Sequence, residues 1–499
     1  MEFIKKYHRL LLALIPLISL ALHWYVFDLD LVGIHVWRQT KTQQVINNFF
    51  REDMNIFHPR CNNMAYPDRL LLQEFPIMQW LFAVVHKVLG PSVAISRVLS
   101  FIVGLFSVYG MYRLARNIFG HTAIATICAW CFAFSPVFHY YMVNPMPDNF
   151  SMCTAIWSLA FFYEYVNIRQ HNTSNPPPSP RERAGERLLF LSALFLCLAT
   201  LAKLPFVIYG IVVPVYLLAE LRAGCMQLKR ALAVAGIYAL IVLPAFVWYI
   251  SVIHTWGDNM IIAGVTDAKE SVGELFSILL KITVSMLPEL LINYGATPLF
   301  AAGLYFMVRG KVYRRPYFIL LASLGVVVLF YFFFEINAIS TVHDYYMFPF
   351  LPPIFLLVAY GASRLLAMAR PVRIFAAVCL VVLPVTAFIR CYSRWDVASD
   401  TGFEPAFYRY KDEIRSLTPP GALCIAGNDP SDMVLLYYID RKGWSYDNDD
   451  MSADLLSSYM QRGAKYLYTT GNVDTRPGVQ EHLGQKLFDK DGLRVYELK

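Results

Sequence analysis

The 499 residues are 57% hydrophobic and only 16% charged, which excludes a soluble globular domain as the whole of this protein and makes a bilayer the expected solvent. The formal charge of +7 comes from Lys and Arg in short segments between apolar runs, so it reads as topological and not as a nucleic-acid-binding patch. The nine Cys sit mostly inside apolar runs (Cys128, Cys131, Cys153, Cys197, Cys379) and read as small core residues.

In chain order, the N-terminus pairs a basic head with an apolar stretch and no small-residue cleavage pattern follows, so it is a first membrane span, not a removed signal peptide. Apolar runs of about 17 to 25 residues, enough to cross roughly 30 Å of hydrocarbon as helices, recur up to position 390. They give about eleven candidate spans: 10–27, 98–113, 121–138, 150–167, 188–203, 205–220, 232–251, 291–308, 316–334, 347–363 and 374–390. Alternate connections carry the basic residues, among them Lys5, Lys6 and Arg9, Arg113 and Arg116, Arg309 and Lys311, and Arg370 and Arg373. The positive-inside rule makes those cytoplasmic, which puts the N-terminus in the cytoplasm and the long first loop 28–97 and the C-terminal tail on the outward side of the membrane. The Pro-rich segment 174–187 is expected to be a flexible cytoplasmic linker that leaves the sequon Asn172–Thr173–Ser174 unused. The segment 272–290, interrupted by Glu274, Lys281 and Glu289, is expected to be an interfacial helix on the outer leaflet. From 391 to 499 charged helical stretches alternate with short apolar strands, the pattern of a small α/β domain. Its first strand is followed by GNDPSD (427–432) in place of a glycine-rich phosphate loop, so it is expected to gate substrate or stabilise, not to bind a nucleotide. The division expected is a transmembrane domain 1–390, including loop 28–97, and a periplasmic domain 391–499.

Ionisable groups near membrane depth are costly, so those at the outward ends of spans are the functional candidates. Loop 28–97 mixes carboxylates, Arg, His and aromatics, and Trp37 and Arg38 stand in a stretch whose apolar positions fit a helix lying on the bilayer surface. Asp148 opens the fourth span beside two prolines, where a helix-capping acid is the plain alternative. Lys203 lies between two tightly joined spans, where a snorkelling Lys is the alternative. His343, Asp344, Tyr345 and Tyr346 crowd the entry of a late span, and an aromatic belt accounts for the tyrosines but not for the His-Asp pair.

Together these features resemble the GT-C superfamily of glycosyltransferases, in particular the bacterial family similar to protein O-mannosyltransferases and the lipid A aminoarabinose transferase. The resemblance covers roughly residues 10 to 390. It rests on the long first external loop, QEFPIMQWLFAVVHKVLG (73–90), the acid Asp148 at the mouth of span four, Lys203 in LATLAKLPF, where Leu204 replaces the usual Gly, and HDYY (343–346) before a Pro-rich span. The chain departs at WRQTK (37–41), where many members open the surface helix with Asp-Glu. The resemblance implies a polytopic α-helical fold of the GT-C type with a C-terminal soluble α/β domain. It also implies transfer of a sugar from a polyprenyl-phosphate donor to a periplasmic lipid, glycan or protein acceptor, by direct displacement at the anomeric carbon.

The sites expected on this reading are Asp148 and Glu74 as catalytic carboxylates, ahead of Asp28 and Asp30, and Arg38 and Lys203 for the leaving phosphate. His343, Asp344, Tyr345 and Trp37 complete the substrate surface. The sequence points to no definite cofactor, and a divalent metal is possible but unsupported by any ligand cluster. The rivals are a lipid or solute transporter, which would show paired repeats and helices broken at the midplane, and an inactive member that binds a lipid-linked glycan without turning it over.

Overall fold

The computed structural model describes residues 1–170, 180–256, 271–312, 316–336, 339, 343–397 and 403–499. The chain divides into two compact units, one of residues 1–27, 73–77 and 97–392, the other of residues 28–72, 78–96 and 393–499. The first long loop therefore groups mostly with the tail, where the sequence had grouped it with the spans.

In the first unit the helices are α1 (Glu2–His23), α4 (Val93–Phe119), α5 (Thr122–Ala133), α6 (Pro136–Tyr141), α7 (Pro147–Gln170), α8 (Pro180–Ala202), α9 (Val212–Arg222) and α10 (Leu228–Val252), followed by helices at Val272–Lys281, Thr297–Arg309, Pro316–Phe334, Leu351–Leu366, Arg370–Val381 and Leu383–Tyr392. α2 (Val36–Arg51) and most of α3 (Ile77–Leu89) belong to the other unit. Among the described residues seven helical stretches are long and apolar enough to cross a bilayer, eight if the bent pair Phe276–Ile292 and Thr297–Arg309 is one span, so this is a multi-pass membrane protein. The count falls short of eleven for a physical reason. α5 and Phe318–Phe334 are apolar but short, and α7 carries Ser151, Thr154, Ser158 and Glu164 along its length.

α7 is buried along most of its length, and its hydroxyls serve packing: Ser158 and Ser192 of α8 each donate to the other's carbonyl at 2.8 Å. Elsewhere backbones approach closely enough to require glycine. A Cβ on Gly361 would stand 1.9 Å from the Leu299 carbonyl oxygen, and one on Gly303 2.2 Å from that of Leu357, so Thr297–Arg309 and Leu351–Leu366 touch through small residues. The expected interfacial segment 272–290 is helical, and its axis turns by 107° into Thr297–Arg309. At the corner Asn293 has φ 84° and is buried. Its amide donates to the carbonyls of Phe134 (3.0 Å) and Leu383 (3.1 Å) while Thr386 donates to it at 2.8 Å, which satisfies backbone that water does not reach. Of the expected linker, residues 174–179, like the sequon at 172–174, lie outside the described residues. Residues 180–187 are not a linker but the start of α8, with Pro180 at its first position. Cys128 and Cys131 stand at CxxC spacing on α5, but both are free and fully buried among apolar side chains.

The second unit holds a five-stranded sheet ordered β2-β1-β3-β5-β4, from β1 (Leu423–Gly427), β2 (Lys442–Tyr446), β3 (Ala464–Thr469), β4 (Leu483–Lys490) and β5 (Leu493–Leu498). β1 is parallel to β2 and β3, and β5 is antiparallel to β3 and β4. Apolar side chains cover both faces, Phe407, Ile414, Tyr438 and Val495 on one and Trp444, Leu456 and Leu467 on the other. The loop 28–72 is stitched to this domain by polar contacts. Met64 N–H donates to Gly443 O (2.7 Å), Gly443 N–H to Asn62 O (3.1 Å), the Gln44 amide to Met433 O (2.6 Å), and Arg51 pairs with Asp440 through two hydrogen bonds.

A candidate active site at the ends of the membrane helices

Lys203 is placed by a break between helices. α8 ends at Ala202, Lys203 is extended (φ −160°, ψ 112°), and tight 3₁₀ turns begin at Leu204 with Pro205 near their start. Its ammonium lies 3.5 Å from an Asp148 carboxylate oxygen, and 5.1 Å and 5.9 Å from the ring centres of Tyr346 and Tyr345. Asp148 follows Pro147 in the first turn of α7 and is 2% exposed. Its second oxygen, Oδ2, is buried and accepts no hydrogen bond, so the capping alternative is not what the geometry shows. A buried carboxylate paired at 3.5 Å, beyond hydrogen-bond length, and otherwise unsatisfied is held by its surroundings and not by local helix chemistry.

The HDYY segment supplies the rings. Asp344 through Phe350 form 3₁₀ turns that are buried throughout, with His343 stacked against Tyr346 (ring centres 5.4 Å apart) and Tyr345 tilted against Tyr346 (5.2 Å). The Tyr141 hydroxyl at the end of α6 donates to Asp344, and Tyr141 packs edge-on against Tyr345. Asn144, in the turn before α7, accepts 2.6 Å from the fully buried Arg97. Glu335, just beyond Pro316–Phe334, is 4% exposed and within electrostatic range of Lys203, while Tyr331, one turn earlier, faces Glu335, Asp148, Tyr345 and Tyr346. Glu74 is half-buried on the short stretch 73–77, which is anchored beside the same helix break. Phe75 N–H donates to Leu201 O at 3.0 Å, and the Trp248 indole to Gln73 O at 3.2 Å.

Thus Asp148, Lys203, His343, Asp344 and Tyr345, chosen from separate stretches of sequence, come together, and Glu74 lies on a segment tied to Leu201. Trp37 and Arg38 do not join them within that unit; they sit on α2 of the other, with Trp37 38% exposed and Arg38 half-buried. Sequence reasoning missed Glu335, Tyr331 and Tyr141. An acid closing the apolar run YFFFE (331–335) carries the same signal that picks out Asp148, a charge at a span end. Among the described residues no three His, Cys, Asp or Glu side chains gather as metal ligands would.

The sequence model for dolichyl-phosphate-mannose-protein mannosyltransferases matches residues 73–248, which span Glu74, Asp148 and Lys203. ArnT from Cupriavidus metallidurans, solved in the apo state, superposes with a TM-score of 0.63 at 15% identity over 97% of each chain. The chain has the GT-C fold. The same ArnT bound to undecaprenyl phosphate matches equally well, over 99% of this chain and 98% of that one. The Archaeoglobus fulgidus oligosaccharyltransferase matches at 0.59 and 13% identity over 100% of this chain and 75% of that one, and the mycobacterial arabinofuranosyltransferase AftD at 0.57 and 13% over 99% and 40%. No curated protein matches the chain by sequence.

Proposed function

We propose that this GT-C protein is a glycosyltransferase that moves a sugar from a polyprenyl-phosphate carrier to an acceptor on the periplasmic side of the inner membrane, the acceptor being a lipid, a glycan or a protein. The observation that carries the reading is Lys203, a half-buried cation close to two tyrosine rings and a thinly partnered carboxylate, at a break in the membrane helices. Transfer from such a donor needs a cation for the leaving phosphate, a carboxylate for the acceptor's proton, and aromatic surfaces to orient the sugar. Lys203 supplies the first, Asp148 and Glu74 are the carboxylates that the sequence puts forward, and Tyr345 with His343 offers the surface. ArnT, which shares the fold, has been captured with undecaprenyl phosphate, a ligand of the class proposed. Arg38 and Trp37 are proposed to meet anionic lipid or acceptor groups from α2.

Purified protein given radiolabelled polyprenyl-phosphate sugars and a membrane extract as acceptor source tests this. The expected result is a new glycosidic bond together with release of polyprenyl phosphate. Movement of the lipid across the bilayer with no bond formed would replace the reading with transport. Orientation has its own test: alkaline phosphatase fused after Lys499 should be active, and an inactive fusion removes the periplasmic site.

A further inference from the structure

Three buried carboxylates lie in this region, Asp148, Asp344 and Glu335, and they differ in what holds them. Asp148 is the ion-pair partner of Lys203 at 3.5 Å. Asp344 accepts from the Tyr141 hydroxyl. Glu335 is 4% exposed and yet, among the described residues, its carboxylate makes neither a hydrogen bond nor an ion pair; its backbone alone is engaged, the N–H donating to Tyr331 O and the carbonyl accepting from Ile339 N–H, each at 2.9 Å. A buried carboxylate normally recruits donors, because leaving it unsatisfied costs about 1–3 kcal/mol or more. Elsewhere in this chain that rule is obeyed: Asp429, fully buried, accepts from Ser431 N–H and from Leu435 N–H, each at 2.9 Å, and from the Ser431 hydroxyl. Lys203, from the break after α8, lies within electrostatic range of Glu335, and the Tyr331 ring one turn before it lies within range of Glu335, of Asp148 from α7, and of Tyr345 and Tyr346 from the 3₁₀ turns. Of these only Lys203 is a cation, and Asp148 already neutralises it.

We infer that Glu335 is the proton acceptor of this site, with Asp148 as the standing counter-ion of Lys203. The inference rests on the glycosyl-transfer reading above. The acceptor's hydroxyl oxygen bonds to the anomeric carbon as the bond from that carbon to the phosphate oxygen breaks. The electron pair leaves on the polyprenyl phosphate, whose added negative charge Lys203 meets, and the hydroxyl proton passes to the Glu335 carboxylate and from there to water. A carboxylate with all its lone pairs unclaimed can take that proton without first breaking a bond within the protein, whereas Asp148 would have to loosen its hold on Lys203 just as the phosphate needs that cation.

Glu335→Gln keeps the shape and removes both the basicity and the charge. Expected are a fall of about 100-fold or more in kcat, a donor KM within about threefold of wild type, and partial recovery in Glu335→Asp. Undecaprenyl phosphate, titrated in detergent micelles and followed by native mass spectrometry, should bind Glu335→Gln several-fold more tightly, because a negative charge near Lys203 is gone. Wild-type turnover in Glu335→Gln overturns the assignment. So does a loss of rate that comes with weakened undecaprenyl phosphate binding, which would make Glu335 a structural residue. If the wild type transfers no sugar from any polyprenyl-phosphate donor, it is the transfer reading that fails. The binding titration still judges Glu335: tightening upholds its place in the field of Lys203, and unchanged affinity removes it.

Discussion

The two units bury acids in opposite ways. In the sheet-bearing unit Asp30 accepts from Lys411 (2.6 Å), the Tyr437 hydroxyl (2.5 Å) and Leu31 N–H (2.7 Å), and Asp429 is saturated by the turn that leads into the helix Val434–Tyr438. In the membrane unit Asp148 pairs with Lys203 at 3.5 Å and leaves its second oxygen without a hydrogen bond, and the Glu335 carboxylate, among the described residues, makes no hydrogen bond or ion pair. Burial alone therefore does not mark a site. A buried acid with every lone pair satisfied is part of the scaffold, whereas one left wanting, beside a shared cation, is where a ligand completes the set of partners.

The sharpest way to break that contrast is at Lys203. Lys203→Ala is expected to lower transfer by about 10³-fold and to reduce membrane yield, because Asp148 is left as an uncompensated buried charge. The double variant Lys203→Ala/Asp148→Asn should regain yield but not activity, as read by expression level and the transfer assay side by side. If the single variant is as well expressed as wild type, Asp148 does not depend on the pair. Next in size, Glu74→Gln should lower transfer by roughly 10²-fold with membrane levels nearly unchanged, and Asp148→Asn should lower transfer by a similar factor together with membrane yield, because it removes the ion-pair partner of Lys203. Full activity in both would withdraw them from the chemistry.

In the other unit the same kind of substitution should act on stability and not on catalysis. Asp30→Asn is expected to cost roughly 2–3 kcal/mol, seen as a lower melting temperature with near-normal turnover of the folded fraction. Burial works against the charged form of Asp30, but the Lys411 and Tyr437 hydrogen bonds, the Lys411 charge and the Leu31 N–H outweigh it and hold its carboxyl below the usual value of 3.8. A depressed folded value means that the stabilisation is fully present above about pH 4 and is lost as the pH falls through the lower folded value. Asp429 has the opposite sign. Burial, only partly offset by its Ser431 and Leu435 hydrogen bonds, pushes its carboxyl up to about 6, so its contribution improves as the pH falls from about 6 towards 4. A thermal-melt series over that range should show the wild type, but not Asp429→Asn, gaining stability. The smallest effect is expected at Arg38, where Arg38→Lys should raise the donor KM a few-fold because an ammonium cannot reproduce the planar guanidinium fork. Unchanged donor dependence in both Arg38→Lys and Arg38→Ala leaves Arg38 as an interfacial anchor.

Much of the site was legible because each residue violates a local rule: Asp148 and Lys203 are charges at span ends, and HDYY places a His-Asp pair where rings alone would suffice. Glu335 breaks the same rule, but nothing local shows that its carboxylate is without a partner. Three strands of the tail, β1, β3 and β5, were legible as short apolar runs, whereas β2 and β4 were not. That GNDPSD is a helix-capping turn follows from Asp429 reaching Leu435 N–H, six residues on, which composition does not encode. The grouping of loop 28–72 with the tail was not legible either, since it depends on pairs such as Gln44 with Met433, 389 positions apart.

The sequence by itself determined that this is a membrane protein, roughly where its spans run and in what order its charged residues meet the span ends. Hydropathy is a local sum over some twenty residues, and each stretch carries it whatever its neighbours do. Only the tertiary structure decided which acids are satisfied and which are not. Satisfaction is set by separations of a few ångströms between groups on different helices: Asp148 on α7 meets Lys203 at the break after α8 at 3.5 Å, while the carboxylate of Glu335, beyond Pro316–Phe334, meets no donor among the described residues. Hydrogen bonds and ion pairs fade within ångströms, so packing, not composition, separates the scaffold acids from those left for a substrate.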